Sequence, residues 1–142
     1  MAALELLNHL ILVNAGTPGG DLFVQLRQEI TQDQAVLRDL LEQLDFKQSP
    51  MRQTVAWFSE KFARVKLMVE DRTGDQLARL ETLEALALGI EGKRALWSAL
   101  KVVAERAPAL RSLDFRSLEQ RAREQRERVE AVRLDAAHEA LL

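Results

Sequence analysis

Asp33 falls between Ile30 and Leu37, at the three- and four-residue steps where an amphipathic helix would carry Leu. An ionised carboxylate cannot sit alone in such a seam. It must be paired with a cation, protonated, bound to a metal or placed at a wet end. Glu29 lies four residues earlier on an adjacent face. Glu84 follows Leu77 and Leu80 and precedes Leu88, and Glu91 lies one heptad further on, so both can point toward an interior. Gln125 takes the matching position between Ala122 and Val129. Asp33, Glu84, Glu91 and Gln125 thus form a candidate polar seam.

Two chemistries fit this seam. One is a dinuclear iron or manganese site with Glu29, Asp33, Glu84 and Glu91 as candidate ligands, able to serve redox chemistry. Such sites use Glu-x-x-His on two of their helices. Glu81-Thr82-Leu83-Glu84 has Glu where that motif needs His, and the chain holds only His9 and His138. His138 follows Asp135 by three near the C-terminus, and His9 follows Glu5 by four. The other chemistry is structural: the carboxylates pair with basic residues such as Arg94 or Lys93 and fix helix register. The shortage of His favours the structural reading. No cofactor is expected, with iron or manganese as the alternative.

Other reactive groups are scarce. The 142 residues include no Cys, which excludes disulfides, thiolate metal sites and a Cys nucleophile. No Gly-rich loop follows a strand pattern, so there is no dinucleotide or P-loop fingerprint. Nothing in the spacing brings a Ser to either His as a catalytic triad would require. Gly16-Thr17-Pro18-Gly19-Gly20 is read as an interhelix loop, and Trp57 and Trp97 as core. The formal net charge of −2 argues against a dedicated nucleic-acid binder. Arg121, Arg123, Arg126 and Arg128 alternate with Glu119, Glu124 and Glu127, a solvated face in which Glu119–Arg123 and Glu124–Arg128 have the favourable i,i+4 order. No apolar run is long enough to span a bilayer. The apolar start, Ala2 to Val13, lacks the basic n-region of a secretory signal, and a cytoplasmic protein is expected.

The elements that must position these residues are helices. Gly and Pro fall mainly between segments whose apolar residues recur every three or four positions. The expected helices run from Ala2 to Asn14, from Asp21 to about Asp45, over Met51 to Val69 behind a Ser49-Pro50 cap, from Asp75 to about Arg106, and from Asp114 onward. Gly89 and Gly92 lie inside the fourth, where they allow close packing or a local bend. No stretch alternates as a half-buried strand does. The spacing therefore predicts an all-α chain, a single domain over residues 1–142, folded as a four-helix bundle with a short N-terminal helix.

One ordered set of residues carries a resemblance. It comprises Glu29-Ile30-x-x-Asp33, Lys61-Phe62-x-x-Val65-Lys66, Leu83-Glu84-Ala85-Leu86-x-Leu88-Gly89-Ile90-Glu91-Gly92-Lys93-x-Ala95-Leu96-Trp97, and Gln125-Arg126-x-Arg128-Val129-Glu130-x-x-Arg133. Over roughly residues 21 to 142 the chain resembles a group of uncharacterised bacterial proteins of the ferritin-like superfamily. The resemblance implies a ferritin-like four-helix bundle. The paired Glu-x-x-His ligands of working ferritins are absent, so it implies neither ferroxidase nor iron-storage activity.

The first helix carries Leu4, Leu6, Leu7, Leu10, Ile11, Leu12 and Val13, which go all the way round it. One core face cannot cover them all. A homodimer using Leu6, Leu10, Ile11 and Val13 is the expected solution, with a helix tucked inside a monomer as the alternative. The functional expectation is a non-enzymatic bundle acting through self-association or a protein partner. A carboxylate-rich metal or redox protein is the second reading, and a bundle holding a small apolar ligand between its helices is a third.

Overall fold

The structure is a computed structural model that describes residues 2–14, 16, 18–43, 50, 53 and 76–142. Among the described residues the chain is all-α, with helices α1 (Ala2–Val13), α2 (Pro18–Gln43), α3 (Gln76–Ala104) and α4 (Phe115–Leu141) and a 3-10 turn at Pro108–Leu110. None of these helices is long and apolar enough to cross a membrane. The helix expected over residues 51–69, with Trp57, lies outside the described residues apart from Gln53.

The loop expected at residues 16–20 is divided. Gly16 has φ at +79°, a conformation that favours glycine. Pro18, Gly19 and Gly20 already form the first turn of α2. Proline is tolerated there because its missing N–H would have no intrahelical partner anyway. α1 lies back along α2, where Arg27 Nη1 donates to Asn8 Oδ1 at 3.0 Å. Leu7 and Leu10 enter the same apolar cluster as Phe23, Leu26 and Ile30.

α3 and α4 form a second antiparallel pair, and α3 runs through Gly89 and Gly92 without a break. Its C-terminal carbonyls are capped by one side chain. Arg111 donates from Nε to the Ala104 oxygen at 3.1 Å and from Nη2 to the Glu105 oxygen at 2.7 Å. Asp114 then caps α4, accepting from Ser117 N at 3.1 Å and from Ser117 Oγ at 2.7 Å. Contacts from Lys101–Glu119 to Arg79–Glu139 confirm the antiparallel order.

The core is built from strict three-four steps. α2 contributes Phe23, Leu26, Ile30, Asp33, Leu37 and Leu40. α3 contributes Leu83, Leu86, Ile90, Lys93, Trp97 and Leu100, and α4 contributes Phe115, Leu118, Ala122, Gln125, Val129 and Val132. Trp97 is fully buried and lies 6.1 Å from Phe115, ring centre to ring centre. In each series one polar residue replaces an apolar one: an acid, a base and an amide.

Candidate functional site

Those three replacements meet. Asp33, with 2% of its surface exposed, accepts at Oδ2 from Lys93 Nζ at 2.7 Å and from Gln125 Nε2 at 3.3 Å. Gln125 is fully buried, and its Oε1 accepts a second, short hydrogen bond from Lys93 Nζ. Acid, base and amide from three helices thus close one layer between apolar layers. Each group answers another's desolvation, as a buried polar cluster requires.

Long side chains of α2 and α4 extend the layer outward. Gln125 Nε2 also donates to Glu29 Oε1 at 3.3 Å, and Arg128 Nη2 donates to the same oxygen at 2.8 Å. Arg121 sets its Nε 3.5 Å from Glu29 Oε1 and 3.7 Å from Asp33 Oδ1, and donates from Nη2 to Gln32 Oε1 at 3.0 Å. The hydrogen bond from Arg128 holds the Glu29 carboxyl below its ordinary range, against the opposing pull of burial. Burial pushes Lys93 below the ordinary lysine range, and the Asp33 carboxylate only partly offsets it.

Two further carboxylates tie α4 together. Glu119 accepts from Lys101 at 2.8 Å, Arg123 at 2.9 Å and Arg94 at 3.2 Å. The bonds from Lys101 and Arg123 hold its carboxyl at about 2. Glu130 accepts from Arg133 at 2.7 and 2.8 Å and from Arg126 at 2.7 Å, which also holds it at about 2.

The expected polar seam is half assembled. Asp33 and Gln125 lie in the layer and Glu29 borders it. Glu84 and Glu91 do not point inward: their side chains are 48% and 47% exposed. Arg133 approaches Glu84 at 3.6 Å, and Arg94 grips Glu91 at 2.6 Å. The physical reason is register. Leu88, which frames Glu84 in the sequence, is 69% exposed, so that whole stripe faces outward. The α3 seam runs instead through Leu83, Leu86, Ile90 and Trp97 and places Lys93 in the layer. Its steps of three from Ile90 and four to Trp97 are the signal that identifies it. The i,i+4 pairing of Glu124 with Arg128 is also corrected, because the Arg128 guanidinium reaches across to Glu29 and meets only the Glu124 backbone oxygen, at 3.4 Å.

The four candidate metal ligands are therefore not gathered at one point. Among the described residues no group of three or more His, Asp or Glu is placed to hold a metal ion. The two that adjoin, Glu29 and Asp33, face Lys93, Arg121 and Arg128, whose charges oppose a bound cation. His9 and His138 are both exposed.

Of the proposed interface residues, Leu10 is buried within the chain and Ile11 is partly buried. The side chains of Leu6 and Val13 lie outside the described residues. Leu12 is 78% exposed. An open groove of about 730 Å³ lies between α2 and α4, and all its lining side chains are polar, including Gln25, Gln28, Arg116 and Gln120. Such a lining suits water rather than a small apolar ligand. Comparison with protein families, curated proteins and solved structures finds no match to the chain.

Proposed function

We propose that the chain is a non-enzymatic, cytoplasmic, ferritin-like four-helix bundle that works through self-association as a homodimer or through a protein partner, without bound iron or manganese. One observation carries this reading. Asp33, the most buried acid described, is already engaged by Lys93 and Gln125, while Leu12, Leu88 and Val102 stand in solvent. Polar groups that answer one another inside the fold supply orientation rather than reactivity. Apolar side chains on the outside supply surface for association.

Sedimentation of the full chain over a concentration series, with elemental analysis of protein purified without chelators, tests the reading. It expects a mass above the monomer, or capture of a defined protein partner, and metal well below one ion per chain. About one iron or manganese per chain, lost in an Asp33→Ala variant, would establish the metal reading instead.

A further inference from the structure

α3 is apolar on two opposite sides. One side is the seam through Leu83, Leu86, Ile90 and Trp97, packed in the core. The other runs Glu84, Leu88, Ala95, Ala99 and Val102, all exposed, with Leu88 at 69% and Val102 at 62%. Steps of four, three, four, four and three carry one line along the helix from Glu84 through Leu88, Glu91, Ala95 and Ala99 to Val102. A helix apolar on both sides is normally covered on both. The other exposed leucines offer no such line. Leu134 stands among Glu127, Ala131 and His138, and Leu12 borders Asn8 and His9.

We propose that a second copy of this chain covers the outer stripe of α3, packed antiparallel about a two-fold axis at Ala95. The inference rests on the self-association reading above and names the face that carries it. The stripe is self-complementary in that orientation. Leu88 and Val102 each lie seven residues from Ala95, on opposite sides, so the axis sets each against the partner's copy of the other. Glu84 lies eleven residues before Ala95 and Arg106 eleven after it, in the turn that follows α3, and both are exposed. The same axis therefore places opposite charges together at both ends of the contact. A parallel pairing would set Glu84 against Glu84 and Glu91 against Glu91. At the centre, Ala95 and Ala99 are small, which lets the two backbones approach closely. Glu91, on the same line, is already neutralised by Arg94, and the axis sets it opposite the partner's Ala99. Arg133 approaches Glu84 only at 3.6 Å and leaves it half exposed.

The size of the contact sets its strength. From Glu84 to Val102 the stripe is about 27 Å long and roughly 10 Å wide. That is well under the roughly 800 Å² per partner of a standard stable interface. The dimer is therefore weak and dissociates on dilution.

The absence of Cys from the chain makes a direct test simple. Ala95→Cys places one thiol on the proposed axis, and Ala131→Cys places one on the exposed face of α4. Mild oxidation of the full-length variants is expected to link Ala95→Cys into a covalent dimer much faster than Ala131→Cys. In sedimentation the unaltered chain is expected to shift from monomer to dimer with concentration. Leu88→Glu should remain monomeric with an unchanged circular dichroism spectrum. Glu84→Arg and Arg106→Glu should each weaken the dimer several-fold, and the two together should restore it. If the chain dimerises but Leu88→Glu dimerises equally and Ala95→Cys links no faster than Ala131→Cys, the proposed face is wrong and self-association stands. A monomer at every concentration overturns both.

Discussion

Asp33 and Lys93 are sixty residues apart in the chain, and their side chains meet at 2.7 Å between α2 and α3. Asp33 is almost wholly buried, and the lysine is 16% exposed at its side chain. Neither charge has water enough to stand alone. The pair is therefore an all-or-none feature: tolerable together, costly when either is left behind.

That asymmetry is measurable. Lys93→Met leaves the Asp33 carboxylate without a hydrogen-bonded cation, with Arg121 standing off at 3.7 Å, and is expected to cost about 3–5 kcal/mol. Asp33→Leu combined with Lys93→Met is expected to cost far less, because the desolvation penalty leaves with the charges. Urea denaturation of the two single variants and the double variant checks this. Single and double costs that simply add would show that the two charges are not coupled.

Acid should weaken the fold in a defined window. Glu119 and Glu130 have carboxyls lowered from 4.5 to about 2 by their cationic neighbours. A carboxylate lowered in the folded state contributes stability above its unfolded value and loses it as pH falls toward its folded value. Stability should therefore decline from about pH 4.5 to about pH 2, with a shallower decline in Glu119→Gln and Glu130→Gln. Lys93 has the same sign of pH dependence, in a window at higher pH. Its lowered folded-state value makes its charge a cost at neutral pH, relieved as pH climbs through that value toward the ordinary lysine range. Thermal melts across both pH ranges check that stability rises with pH in each.

The register of α3 makes a sharp contrast between neighbours. Leu83 is fully buried, and Leu83→Ala is expected to cost about 2–5 kcal/mol. Glu84 is half exposed, and Glu84→Ala is expected to change stability by no more than about 0.5 kcal/mol. Chemical denaturation of both variants decides whether the seam runs through 83 or 84.

That contrast also marks what was legible in the sequence. The seams of α2 and α4 were, because each helix carries one apolar stripe and is polar elsewhere. Asp33 and Gln125 interrupt those stripes and could be read directly. α3 is different. From Ala78 to Ile90 its buried residues include Ala78, Leu80, Leu83, Ala85, Leu86 and Ala87, which go nearly all the way round the helix. With apolar residues on every side, periodicity no longer selects a face. By spacing alone Leu88 reads as interior, and Glu84 and Glu91 read inward with it. Lys93 was visible as a candidate partner but not as a seam residue. The bonds from Arg121 to Gln32 and from Arg128 to Glu29 span 89 and 99 residues, and no local pattern encodes them. The same limit applies to Arg94 and Lys101 at Glu119, whereas its third cation, Arg123, follows from the i,i+4 spacing.

The separation of these contacts along the chain also has consequences in time. The α3–α4 pair is joined by bonds such as Lys101 to Glu119, eighteen residues apart, whereas α2 reaches α3 across sixty. Closing the longer loop costs roughly 1 kcal/mol more in chain entropy. The α3–α4 hairpin should therefore form first, with the docking of α2 coming after the rate-limiting barrier. Interactions made after the barrier govern escape rather than arrival. Asp33→Ala is accordingly expected to speed unfolding while leaving the refolding rate nearly unchanged, as stopped-flow measurements would show. The lifetime of the folded chain is then set by how long Lys93 keeps hold of α2.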